Sequence, residues 1–263
     1  MEKKITLSLV VPAYKRSLKA GIKKKIFLSV IIPAYNEEKI IEENLQKINN
    51  FLSHQKYSWE IVVVDDGSKD RTPEIVESIK NPQIKLIKLA KNSGKGAALR
   101  EGVKNAVGDY VIFTDADLSV PIDFLSPFLE KLKDGSDVVI GSRRTKGSKI
   151  IKHQPFVRET MGRFYTLLSK MVTGTNISDF TCGFKGFTAK AAHTIFSKSL
   201  VDRWSYDVEI LYLANKLGFR ILEIPVSWIN REETRVSLGS AVTTSFMDLI
   251  RIRFNNLLGK YDR

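Results

Sequence analysis

Two aspartates one residue apart, Asp115 and Asp117, close the apolar run from Tyr110 to Thr114 and precede Leu118-Ser119-Val120-Pro121. Carboxylates so spaced in a turn can offer oxygens to one hard cation, and Mg2+ and Mn2+ favour such ligands and bridge to phosphates. The plainer alternative is a pair of solvated loop acids. A second pair, Asp65-Asp66, closes another apolar run and is followed by Gly67-Ser68. Turn formers account for such a tetrapeptide, yet acids at the end of a buried strand can also accept hydrogen bonds from a base N–H or ribose hydroxyls. Asn92-Ser93-Gly94-Lys95-Gly96 looks like a phosphate loop but has Leu89 where glycine is required and Gly96 where Ser or Thr is required. ATPase chemistry is therefore excluded, although glycines and Lys95 opening a helix still suit an anion. In Gly141-Ser142-Arg143-Arg144, two guanidinium groups follow the acidic sites, and arginine grips phosphate with paired donors. A solvated basic loop is the competing reading. In Arg203-Trp204-Ser205-Tyr206-Asp207-Val208-Glu209, Asp207 either caps the following helix or works in a site, and the aromatics could simply be core.

The elements that must position these residues follow from hydrophobic periodicity. Phe27 to Ile32, Glu60 to Val64, Ile84 to Leu89 and Tyr110 to Thr114 read as buried strands. Asn36 is expected to cap a helix whose apolar face is Ile41, Leu45, Ile48 and Leu52. Thr72-Pro73 opens a second helix with proline at its first position, and Gly94 to Val107 forms a third. This alternation predicts an α/β fold with a mostly parallel central sheet and helices on both faces. Ligands in such sheets bind beyond the carboxyl ends of the strands, which here carry Tyr35 and Glu37, Asp65 and Asp66, and Asp115 and Asp117. After Pro121 the alternation breaks down. Val138 to Ile140 is a short strand and Ile221 to Trp228 a late one. Pro155 to Val172 is a helix with Phe156, Phe164, Leu167, Leu168 and Met171 on one face. Phe246 to Leu258 is another, with Phe246, Leu249, Ile250, Phe254 and Leu257 as its stripe and Arg251 and Arg253 beside it.

Lys and Arg number 42 against 29 Asp and Glu in 263 residues, a net charge of +13. That excess implies an anionic partner. No zinc-finger spacing or RNA-binding aromatic pattern is present, so nucleic acid is not expected. One cysteine, Cys182, permits no intrachain disulfide and favours a reducing compartment. No run of ~18 apolar residues predicts a transmembrane helix, and the N-terminus has no signal-peptide core. Residues 5–14 (ITLSLVVPAY) and 26–35 (IFLSVIIPAY) share six of ten positions. Only the second copy continues into Asn36-Glu37-Glu38, so residues 1–25 read as a duplicated strand-like leader.

From Ile26 onward the chain resembles family 2 glycosyltransferases of the GT-A fold, and within them dolichyl-phosphate β-glucosyltransferases. The carrying motifs are SVIIPAYNEE at 29–38, VVVDDGS at 62–68, NSGKGAALREG at 92–102, TDADLSVP at 114–121, GSR at 141–143, DFTCGFKGF at 179–187, RWSYDVEILYLA at 203–214 and EIPVSW at 223–228. The resemblance implies a Rossmann-like GT-A domain over 26–235, divided into a nucleotide-binding part (26–121) and an acceptor-binding part (122–235), then an amphipathic helix over 236–263. It implies that Pro33, Tyr35 and Glu37 lie along uridine, with Asp65 near the base and Asp66 beside it. Asp115 and Asp117 would hold ribose, Mg2+ or Mn2+ and diphosphate, with Asp117 the principal metal ligand. Lys95 and Arg235 belong to the nucleotide-sugar site, and Arg143 with Arg144 would meet the acceptor phosphate. Asp207 matches an acid of the RWxFDVE motif, with Tyr206 in place of its usual phenylalanine; Phe180 stands where threonine is common. The implied reaction is inverting transfer of a hexose, glucose first, from a UDP-sugar to a polyprenyl phosphate by an enzyme lying peripherally on the cytosolic membrane face. The membrane anchor of eukaryotic members is expected to be absent. Asp207, Asp117 and Arg143 are the expected catalytic residues, Asp207 orienting or balancing charge without acting as an obligate base. GDP-mannose as donor, a glycan hydroxyl as acceptor, nucleotidyl transfer and a non-enzymatic anion-binding module remain as alternatives.

Overall fold

Strand residues alternate between two apolar layers, as a pleated strand with both faces covered requires. The computed structural model describes residues 25–152, 155–230 and 238–262. The first copy of the repeat and Arg235 lie outside the described residues. Strand β1 (Leu28–Ala34) leads to helix α1 (Ile41–Ser53), β2 (Trp59–Asp65), α2 (Thr72–Ser78), β3 (Ile84–Lys88), α3 (Lys95–Asn105) and β4 (Tyr110–Phe113). Then come α4 (Leu125–Lys133), β5 (Val138–Ser142), β6 (Lys149–Lys152), α5 (Phe156–Thr173), β7 (Lys185–Thr188) and α6 (Ala189–Lys198). The chain continues through α7 (Tyr206–Lys216), β8 (Ile221–Pro225), β9 (Ser227–Ile229) and α8 (Leu238–Leu257).

The main sheet has the order β3-β2-β1-β4-β7-β5-β8. Its first four strands are parallel, as is the β5–β8 pair, while β7 runs antiparallel to both β4 and β5. Ile31, Val64, Phe113 and Ile140 face a core completed by Leu99 and Val103 of α3, Ile195 and Phe196 of α6 and Leu211 of α7. Their neighbours Val30, Ile32, Val63 and Ile112 face the opposite core, with Leu45, Ile48 and Leu52 of α1 and Phe128 of α4. The mostly parallel α/β sheet covered on both faces is thus as the sequence predicts.

Three local expectations are corrected. Asn36 does not cap α1, which is preceded by Ile40. It sits at φ 55°, a left-handed conformation that asparagine tolerates, and its side chain accepts from the Lys69 N–H at 2.7 Å. Asn36 therefore ties the β1 exit to the β2 exit. The late strand from Ile221 to Trp228 divides at Val226, because β9 leaves the main sheet to pair with β6. The apolar stripe assigned to α8 also splits. Leu249 is buried with Ile252, whereas Phe246, Ile250, Phe254 and Leu257 are exposed.

Candidate active site

All parallel strands of the main sheet end at one edge, and antiparallel β7 begins there. Lys185 lies opposite Phe113 of β4 and Ile140 of β5 in the ladder, which puts it at the level where Asp115 and Arg143 emerge. The sheet thus gathers residues from positions 95 to 207.

Asp115 bonds to the Lys95 ammonium. Burial pushes the Asp115 carboxyl up, but Lys95, then Lys185 and Arg143, outweigh it and hold it below the ordinary value. The backbone opposite leaves no slack: a Cβ on Gly183 would lie 2.0 Å from Asp115 Oδ2. Asp117 accepts from Ser119 twice, from its N–H at 2.9 Å and its hydroxyl at 2.7 Å. Its carboxyl is pushed up by burial and then by the charge of Asp115. Two hard carboxylates whose charges oppose each other fit a divalent cation, which relieves the repulsion. No group of three His, Cys, Asp or Glu gathers among the described residues, so a cation held here would draw further ligands from diphosphate oxygens and water.

The second acidic pair behaves differently. Asp66 accepts the Ser93 and Gly94 N–H groups at 2.7 and 2.8 Å and Asn92 Nδ2 at 3.1 Å. Its carboxylate holds the 92–94 loop. Asp65 accepts the Ser68 N–H within its own turn. The glycines after Asn92 are required by close packing. Gly94, at φ 108°, would bring a Cβ within 2.5 Å of Asp202 O, and one on Gly96 would approach Val201 O as closely. The Ala97 N–H is likewise taken by Asp202 O at 3.0 Å. What the loop delivers is the side chain of Lys95. Pro33 pairs with Val64 within the sheet, and Tyr35 and Glu37 leave the β1 end beside it, the Glu37 N–H donating to Thr72 Oγ1 at 2.7 Å.

Arg143 is fixed by Asp179, whose two oxygens accept from its Nη2 and Nε at 2.8 and 2.7 Å. Its guanidinium lies 5.2 Å from the Trp228 ring centre. Asp179 is fully buried. Burial pushes its carboxyl up, but Arg143 overrides this and brings it down to about 2. Arg144, the other expected phosphate ligand, donates to Thr166 Oγ1 at 2.6 Å. Asp207 does not cap α7. It is ion-paired with Lys185, which is fully buried and also donates to Cys182 O at 2.6 Å. Burial raises the Asp207 carboxyl against the pull of Lys185 and Lys95. Cys182 is an inert thiol, its pKa pushed up to about 11 by burial.

Sequence pattern alone does not single out Lys185, Asp179 or Gly183, although all three stand in the DFTCGFKGF segment. A lysine flanked by Gly-Phe and Gly-Phe in an apolar stretch is the available signal, since a buried lysine requires a partner.

Residues 29–196 match the family model described as Glycosyl transferase family 2. The dolichyl-phosphate beta-glucosyltransferase of Dictyostelium discoideum is 36% identical over 269 residues, covering 97% of this chain and 76% of that protein. The enzyme of that name from Saccharomyces cerevisiae is 36% identical over 283 residues, covering 99% and 78%. Among solved structures, glucosyl-3-phosphoglycerate synthase from Mycobacterium tuberculosis in complex with Mn2+, UDP and phosphoglyceric acid has a TM-score of 0.63 at 19% identity, covering 90% of this chain and 78% of that one. That last likeness is one of fold.

Proposed function

The chain belongs to glycosyl transferase family 2, and from that premise we propose that it moves glucose from UDP-glucose to a polyprenyl phosphate at the cytosolic face of a membrane, inverting the anomeric carbon. The relatives named above support the acceptor class and the sugar. The structural observation that carries the reading is the pairing of Asp207 with buried Lys185. A sugar hydroxyl needs a carboxylate to take its proton, and the acid at the matching position here is committed to an ammonium. A phosphate monoester, largely dianionic above its second pKa of ~6, attacks without one.

In this reading a phosphate oxygen of the acceptor bonds to the anomeric carbon as the bond from that carbon to the diphosphate breaks, and UDP leaves with the electron pair. Pro33, Tyr35, Glu37 and Asp65 line the nucleoside, and Asp66 holds the loop that carries Lys95. Asp115 and Asp117 would hold the Mg2+ or Mn2+. When bound, the cation supplies positive charge that stabilises the departing diphosphate. Arg143, held rigid by Asp179 and Trp228, presents its charge to the acceptor phosphate with Arg144 close behind. Asp207 balances Lys185 and keeps it in place beneath Asp115.

The pH profile tests the acceptor class. Transfer falls below pH ~6 as the acceptor phosphate gains a proton, and the limb moves when an acceptor of different phosphate pKa is used. Asp207→Asn is expected to unfold at lower temperature, because Lys185 loses its charge partner. The folded variant loses far less than the ~10²–10⁴-fold that removal of a general base costs. A loss of that size, with the acid limb abolished, contradicts a phosphate acceptor.

No helix among the described residues is long and apolar enough to cross a membrane. Phe156, Phe164, Leu167 and Met171 of α5 and Phe246, Ile250, Phe254 and Leu257 of α8 are exposed, with Arg251 and Arg253 exposed beside them. Helices of this kind lie in an interface with their apolar side chains among the acyl chains. Binding to anionic vesicles is expected to weaken with salt, each basic residue contributing ~1 kcal/mol, and to weaken further in Phe254→Asp. Flotation that is absent at low salt, or equal for the variant, contradicts this placement.

A further inference from the structure

Lys95 has one partner in hand and a second within reach. Its ammonium bonds to Asp115 Oδ1 and lies 5.8 Å from the centre of the Tyr206 ring. The Tyr206 side chain is 1% exposed; its hydroxyl makes no hydrogen bond of ordinary length among the described residues, although the Lys95 ammonium is near enough to act on it. A buried hydroxyl left without a full hydrogen bond costs folding free energy, a cost that phenylalanine would not carry.

The two partners differ in freedom to move. The Asp115 carboxylate packs directly against the Gly183 backbone, which limits its movement on that side. Lys95 has a flexible four-carbon stem. A divalent cation on Asp115 would repel an ammonium at contact distance, and the displaced ammonium needs an acceptor. The Tyr206 hydroxyl is an unmatched one next to it.

We propose that Lys95 is an exchangeable counter-ion, which yields Asp115 to a divalent cation and re-bonds to the Tyr206 hydroxyl. This rests on the reading of Asp115 and Asp117 as the cation's ligands. No proton moves: the ammonium stays charged and donates to the phenolic oxygen. Tyr206 is then a positioning residue acting through Lys95.

Mn2+ binding to the full chain, measured without nucleotide by the electron-spin resonance of free Mn2+, tests this apart from catalysis. Lys95→Met removes the competitor and is expected to bind Mn2+ at least about tenfold more tightly than wild type. Tyr206→Phe removes the second berth and is expected to bind several-fold more weakly, while unfolding at no lower a temperature. In Lys95→Met the tyrosine substitution should have no further effect, since the two act as a coupled pair. If Lys95→Met binds no more tightly while Asp117→Asn abolishes binding, the cation site stands and the exchange is overturned. If Tyr206→Phe weakens binding equally with and without Lys95, the tyrosine acts by another route and the proposal fails. If neither wild type nor Lys95→Met binds Mn2+ even after UDP is added, the cation reading falls and the exchange with it.

Discussion

Asp117→Asn is expected to lower kcat by ~10²–10³-fold, the scale of losing a group that stabilises transition-state charge, while leaving the fold intact. The carboxylate is oriented by two donors from Ser119, so the amide retains the shape but not the charge that a cation needs. The effect on stability should have the opposite sign. Burial and Asp115 raise the Asp117 carboxyl above its ordinary value. Its protonated form therefore stabilises the folded chain at acid pH, and that contribution is lost as pH rises through the raised value. A neutral asparagine removes the penalty, so the variant should unfold near neutral pH at the wild-type temperature or above it. Transfer assays beside thermal unfolding check both halves, and a variant close to wild type in kcat contradicts the role given to Asp117.

Asp179→Ala should be destabilised by about 3–5 kcal/mol, the cost of stripping one partner from a buried ion pair. Asp179 is fully buried and accepts the Arg143 N–H as well as two of its guanidinium nitrogens. Its depressed carboxyl adds a pH signature. Stability from Asp179 is present above 3.8, the ordinary aspartate value, and is lost as pH falls toward about 2. Unfolding midpoints at neutral pH and in acid should show a gap between wild type and variant that narrows on acidification. A gap of under ~1 kcal/mol at neutral pH, the worth of an exposed pair, would contradict the description of this bridge as buried.

The first half of the sheet was legible because β1, β2 and β4 combine unbroken apolar runs with acids at their ends or within three residues of them. Period and punctuation agree there. β7 was not legible: it is four residues long, runs against its neighbours and carries Lys185, whose burial depends on an Asp207 contributed 22 residues later. The same holds for Asp179, whose partner precedes it by 36 residues. Local pattern carries no information about such pairings. Capping propensity and tolerance of positive φ belong to the same asparagine side chain, so sequence alone does not show that Asn36 joins two strand exits and leaves α1 uncapped. The Asp65-Asp66 pair stands out in the sequence, but only the fold shows that Asp66 faces the 92–94 loop. For α5 and α8, the apolar stripes were visible in the sequence. Which members turn inward depends on the neighbour each helix meets, as Leu249 against Phe254 shows.

The most direct test offers the full chain radiolabelled UDP-glucose or GDP-mannose with a polyprenyl phosphate and Mn2+, and extracts the product into organic solvent. The account predicts lipid-soluble label from UDP-glucose that requires both the phosphate group and the metal, and that is released by mild acid as glucose. Label carried instead onto a dephosphorylated polyprenol or a glycan, or no lipid-soluble product from any nucleotide sugar, would contradict it.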